Sequence, residues 1–134
     1  MRMLVWFLIA LVVLGLVWIR LAPSDPARWH QRPAVAADRD MKGGVLRAVV
    51  TGPEGLVRLD AVARATPRTR VLAGSVGQGM VTYVTRSRVF GFPDYTTAWQ
   101  DGDTLRIWGR LRFGRSDLGV NRDRVDQWLA ALGH

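Results

Sequence analysis

The residues with most to offer chemically are two aspartates, Asp94 and Asp117, and the arginines set around them in sequence at Arg86, Arg88 and Arg110. A carboxylate beside guanidinium groups can act as an acid or base, and the guanidinium groups can hold an anion through charge-assisted hydrogen bonds. The same groups can instead tie the chain to itself as ion pairs, so each functional reading has a structural one beside it. Ser116 precedes Asp117, but neither histidine, His30 or His134, has a reason to lie near them and complete a Ser-His-Asp arrangement. Short polar side chains at Ser116, Asp117 and Asn121 also suit a helix start, where they satisfy free backbone N–H groups, and Asn121 reads as the N-cap.

The remaining chemistry is narrowed by what the chain lacks. With no cysteine there is no disulfide framework, thiolate zinc site or cysteine nucleophile. With two histidines far apart, the expected metal and cofactor complement is none. The net charge of +8 invites a nucleic-acid reading, yet of 19 basic residues only Lys42 is lysine, a bias that genome composition can produce. Outside the first 24 residues the basic residues run from Arg28 to Arg124 without the dense stripe a nucleic-acid footprint needs, which argues against that partner. A basic surface beside anionic lipid headgroups is at least as natural for a tethered domain.

Tethering is read from the first residues. Met3 to Ile19 carries no charge, is bracketed by Arg2 and Arg20, and places Trp6 and Trp18 near its ends, as in an interfacial aromatic belt. At about 1.5 Å per residue, Met3–Ala22 reaches roughly 30 Å, the thickness of a hydrocarbon core. A signal peptide is the competing reading, but Arg20 and Pro23 spoil the small-residue cleavage site near Ala22 and Ser24, so an uncleaved anchor over 1–24 is expected. Residues 25–44, with Pro26, Pro33 and Gly43-Gly44, read as a linker of limited order, in which Trp29 is expected to pack on the domain or at the membrane interface. Residues 45–134 form the domain proper, large enough to bury a core.

Periodicity gives that domain its elements. Val45–Thr51 reads as a strand; Leu56, Leu59, Val62 and Ala63 form one helical face after Gly52-Pro53-Glu54, and Pro67 ends it. A short strand at Val71–Ala73, a long one at Met80–Phe90 and another at Tyr95–Gln100 lead to Asp101-Gly102, a hairpin signal, and to Thr104–Phe113. A final helix follows from Asn121, with Val125, Trp128, Leu129 and Leu132 at i, i+3, i+4 and i+7. The expected architecture is α+β, in the order β-α-β-β-β-β-α. It has an antiparallel meander, two amphipathic helices on one face and a transmembrane helix in front.

A two-residue turn at Asp101-Gly102 sets Tyr95 opposite Trp108 and Thr97 opposite Arg106; a four-residue loop at 91–94 sets Phe90 opposite Tyr95 and Arg86 opposite Trp99. Val81, Tyr83, Val89, Ala98, Leu105, Ile107 and Leu111 then share the face that the helices cover. Arg86, Arg88, Phe90, Tyr95, Trp99, Arg106, Trp108 and Arg110 share the other. Guanidinium groups interleaved with rings suit an anionic or aromatic partner, or shield the rings from water with no ligand involved. The meander brings Arg86, Arg88, Asp94, Arg110, Asp117 and Asn121 to one edge, either as a clasp on the last helix or as a receptor for a polar ligand.

At Arg86-Ser-Arg-Val-Phe-Gly-Phe-Pro-Asp94 and Ser116-Asp-Leu-Gly-Val-Asn-Arg122 the sequence resembles the bacterial domain of unknown function family 1499, with Pro67-Arg-Thr-Arg-Val71 as a weaker third match. The likeness covers Val45 to Leu132. Members typically carry a second aspartate after the one matching Asp94 and a serine-rich strand before the Asp-Leu-Gly run; here Tyr95 and Gly109-Arg-Leu-Arg112 stand in those places. The resemblance brings no activity. It implies an envelope protein, here in a bacterial inner membrane with the domain on the periplasmic side, although Arg20, Arg28 and Arg32 after the span lend export no support. The expected function is a non-catalytic binding or accessory module for an anionic ligand, a lipid headgroup or a protein; the alternative is a hydrolase using Asp94 or Asp117 beside arginines.

Overall fold

A computed structural model describes residues 1–34 and 37–134. The elements follow in the order α1 (Arg2–Leu21), α2 (Pro26–Trp29), β1 (Arg39–Met41), β2 (Gly44–Val50), α3 (Gly55–Ala65), β3 (Thr69–Ser75), β4 (Met80–Arg86), β5 (Pro93–Asp101), β6 (Thr104–Leu111) and α4 (Val120–Ala131). The six strands make one antiparallel sheet in the order β1-β2-β6-β5-β4-β3. The α+β class and the meander from β3 to β6 match the periodicity. What the alternation alone does not give is β2 pairing with β6, which puts the first long strand on the far side of the meander, and the short hairpin strand β1 beyond it.

The helices cover one face. Leu56, Leu59 and Ala63 of α3 and Val125, Trp128, Leu129 and Leu132 of α4 pack with Val45, Val81, Tyr83, Ala98, Leu105 and Ile107 into one buried cluster. Stripes at helical spacing meet strand residues at spacing two, so each element buries one side. Tyr83 meets Trp128 edge to face at 5.8 Å between ring centroids, and its hydroxyl donates to Asp60 Oδ1 at 2.6 Å. Gly109 sits where α4 comes closest, since a Cβ there would lie 3.3 Å from Asn121 Oδ1 and from Val125 Cγ2.

The pairing register differs from the expectation in two places. The last hairpin pairs Asp101 with Thr104, so its turn is Gly102-Asp103 and Tyr95 opposes Arg110 rather than Trp108. β4 ends at Arg86, which pairs with Pro93, and residues 87–92 form the loop. Ser87 closes it: its N–H donates to Phe92 O and its Oγ accepts from Phe92 N, each at 2.9 Å. Both shifts are even, and side chains repeat every two residues, so the faces survived although the partners moved. Val89 and Leu111 are the exceptions: Val89 is in the loop and exposed, and Leu111 lies at the strand's last residue outside the buried cluster.

The second face is covered by the chain itself. Trp29, at the end of α2, stacks on Tyr95 with centroids 4.0 Å apart and planes within 14°, joined by Val84 and Leu72. Asp25 caps this short turn through Oδ1 to Ala27 N. Where the composition of 25–44 suggests limited order, Trp29 is buried against the sheet and His30 reaches Thr82 Oγ1 at 2.7 Å.

α1 is apolar, exposed along its length and long enough to cross a membrane; a signal sequence passes the same test.

Candidate functional site

On the helix face a chain of polar groups runs from the sheet into α4. Asp94, the second residue of β5, accepts from Arg124 Nη1 at 3.4 Å, and both side chains are about five-sixths buried, at 16% and 15% exposed. The same Nη1 donates to Asn121 Oδ1 at 3.0 Å, and Asn121 Nδ2 donates to Asp117 Oδ2 at 2.9 Å. Burial pushes the Asp94 carboxyl up from its usual range; Arg124 works against this, Asp117 adds to it, and Asn121 offsets it.

Asp117, not Asn121, caps α4. Its Oδ1 accepts from Gly119 N at 2.9 Å and its Oδ2 from Asn121 N at 3.1 Å, while Gly119 at φ 80° takes the N-cap position. The carboxylate thereby answers two free N–H groups at the positive end of the helix. Asn121, the second residue of the helix, turns its amide inward instead and is fully buried over Gly109.

These groups border a cleft of about 870 Å³ between the C-terminal end of α3 and α4. Arg68, Arg86, Arg88 and Arg124 open onto it, against Asp94 and Asp123. Asp94 is paired with Arg124, and Asp123 with Arg122 at 3.5 Å. Arg68 holds φ at 57°, a left-handed backbone that places it directly after Pro67 at the rim, where its Nε donates to Arg86 O at 3.1 Å. Among the described residues the hydroxyls on the cleft wall are those of Thr66, Thr85 and Ser87, and all three are engaged: Thr66 with Val62 O, Thr85 with Thr69, Ser87 with the Phe92 N–H.

Of the six residues singled out from the sequence, Arg86, Arg88 and Asp94 border this cleft, and Asp117 and Asn121 reach it through Arg124. Arg110 is not with them. It opposes Tyr95, so it stands on the other face of the sheet, where its guanidinium donates to Trp29 O, to Thr97 Oγ1 at 2.8 Å and to Trp108 O at 3.2 Å. Its carbon lies 3.9 Å from the Trp108 ring centroid. Burial lowers this guanidinium to about 10, with Tyr95 pulling the other way, so it stays charged at neutral pH. The aromatic and arginine face is therefore not open at Tyr95 and Arg110, where the chain's own Trp29 lies.

Arg124 and Arg68 were missed. Arg124 lies at i+3 from Asn121, the spacing that stacks side chains along a helix, and Arg68 lies inside Pro67-Arg-Thr-Arg-Val71. Among the described residues no group of three or more His, Cys, Asp or Glu side chains could hold a metal ion.

Sheet, paired helices and an arginine-lined cleft at one end define an α+β domain behind an apolar N-terminal helix. The chain belongs to the family described as protein of unknown function (DUF1499), whose model matches residues 19–132. The match begins at the end of α1, well before Val45, and so takes in the segment that packs on the second face. No curated protein and no solved structure matches the chain.

Proposed function

We propose that this protein is a membrane-anchored, non-catalytic module of the bacterial envelope that binds an anionic ligand in the cleft between α3 and α4. One observation carries the reading: Arg68, Arg88 and Arg124 line a single cleft, with Arg86 at its border, and its two carboxylates, Asp94 and Asp123, are each paired with an arginine. That leaves an excess of guanidinium groups facing a space large enough for a small molecule. A second reading, a hydrolase with Asp94 as acid or base, draws on the raised pKa of that carboxyl. It is the weaker one, because Asp94 is held by Arg124, Asp117 is spent on the helix cap, and the cleft's hydroxyls have partners other than a base.

The test is the thermal midpoint of the full chain in detergent at fixed ionic strength, with phosphate, pyrophosphate or citrate against chloride. Gln127→Glu puts a carboxylate into the cleft at an exposed position. A rise in midpoint with a polyvalent anion, lost in Gln127→Glu and kept in Asp94→Asn, supports binding in the cleft. No rise, or one indifferent to Gln127→Glu, removes the reading. Intact mass of the membrane-extracted chain decides the anchor; a chain beginning near Asp25 would refute it.

A further inference from the structure

The foot of α1 is tied to one edge of the domain. Arg86 Nη1 donates to Ile19 O at 3.5 Å and to Gly91 O at 2.9 Å, Arg112 Nη1 donates to Pro23 O at 2.8 Å, and Ser24 Oγ meets the Tyr95 hydroxyl at 2.6 Å. Arg20 lies against Gly91, where a Cβ would stand 3.4 Å from its Nη1. The loop between β4 and β5 is thus held beside the point where the apolar helix ends.

Two features coincide on that edge. Arg20, Arg68, Arg70, Arg86 and Arg88 line a hollow of about 340 Å³ that has no carboxylate in its lining. Among the described residues none of the five is in an ion pair. Burial and then the charges of Arg70, Arg20 and Arg112 push the Arg86 guanidinium down, with Tyr95 opposing, so these cations repel one another. Beside the hollow the loop presents Val89, 73% exposed, and Phe90, 50% exposed, with Phe92 edge-on to Phe90 at 6.0 Å. Exposed apolar side chains next to uncompensated cations, at the end of a helix that can span a membrane, match the two layers of a bilayer surface: acyl boundary and phosphate.

We propose that the loop at 87–92 docks on the bilayer that α1 crosses, with Val89 and Phe90 in the acyl boundary and the five-arginine hollow holding the phosphate of an anionic phospholipid. This rests on the anchor reading above and not on the cleft. The hollow is distinguished from the cleft by Arg20 and Arg70, which the cleft does not share.

The chain has no cysteine, so Phe90→Cys gives a single site for an environment-sensitive dye. The full-length protein is reconstituted in vesicles of phosphatidylcholine with increasing phosphatidylglycerol, and its intact mass is checked in the same sample. The expected result is a blue-shifted emission, quenched by brominated acyl chains, that grows with phosphatidylglycerol. Arg70 is exposed, so Arg70→Gln should fold normally and raise the phosphatidylglycerol fraction for half-maximal shift about fivefold. Gln127→Glu should behave as wild type. A full-length chain whose label stays in water overturns the docking while leaving the anchor intact. A shift independent of phosphatidylglycerol or of Arg70 overturns the headgroup site, and reversal by soluble glycerol phosphate assigns the hollow to a free anion instead of a lipid. A chain starting near Asp25 overturns the anchor reading and this proposal with it.

Discussion

One sheet in this protein carries two coverings of different make. On one face α3 and α4 close a continuous apolar cluster with Trp128 and Tyr83 at its centre. On the other the cover is residues 22–34, held by one stacked ring pair, a buried guanidinium and single hydrogen bonds such as His30 Nδ1 to Thr82 Oγ1 at 2.7 Å. Apolar burial scales with area and belongs to the whole fold, whereas each polar contact nets only about 1 kcal/mol against water. The helix face is thus the folding core, and the second face is a strap able to open locally while the domain stays folded.

The largest expected effect sets one tryptophan against the other. Trp128→Ala should lower the free energy of unfolding by about 3–5 kcal/mol and the urea midpoint with it. Trp29→Ala removes a stacked ring from a small cluster, and its cost should stop near 1–2 kcal/mol because the strap can detach alone. Limited proteolysis should then cut between residues 22 and 34 while the sheet melts close to its usual midpoint. An equal drop for both variants would mean that the two faces form one cooperative core.

The difference between the faces also explains what was legible in the sequence. The stripes Leu56, Leu59, Ala63 and Val125, Trp128, Leu129, Leu132 name the core because periodicity reports continuous apolar burial. The strap leaves no such trace: Trp29 is one ring among prolines and arginines, and its partner Tyr95 lies 66 positions on. The site was half readable for a related reason. Alternation separates the faces correctly, but which arginine sits where depends on register, and Gly102-Asp103 in place of Asp101-Gly102 moved Tyr95 from Trp108 to Arg110. Arg110 belongs to the strap and not to Asp94 because the two lie on opposite faces, which alternation alone already implied, while Arg124, one helical turn beyond Asn121, takes the carboxylate.

A middle-sized effect sharpens the helix side of the comparison, where a polar device holds an otherwise apolar layer. Asp117→Ala should cost about 1–2 kcal/mol and speed hydrogen exchange at Gly119 and Asn121, whose N–H groups its carboxylate accepts. Asn121→Ala should leave those two amides protected but leave Arg124 with Asp94 alone and the Asp117 carboxylate without its amide donor. Were Asn121 the cap after all, its variant and not that of Asp117 would lose amide protection.

The smallest effect is a pH dependence, and its sign separates the faces. Burial lowers the His30 imidazole from its ordinary value of 6.5, and the Arg110 charge lowers it further, so the packed strap holds a neutral ring on Thr82. Because the detached strap takes up a proton more readily, this contribution is fully present above pH 6.5 and is lost as the pH falls below it. On the helix face Asp94 has the opposite sign: its carboxyl is raised above 3.8, so the cost of burying its charge is relieved, not increased, as the pH drops toward that range. Between pH 8 and 5 cleavage within residues 22–34 should therefore accelerate with acid, and the midpoint of the sheet should not fall in step. His30→Gln, which cannot take up the proton, should flatten the cleavage profile. A flat profile in the wild type, or a domain midpoint that declines together with strap cleavage, would show that the second face is not the separable, titratable cover described here.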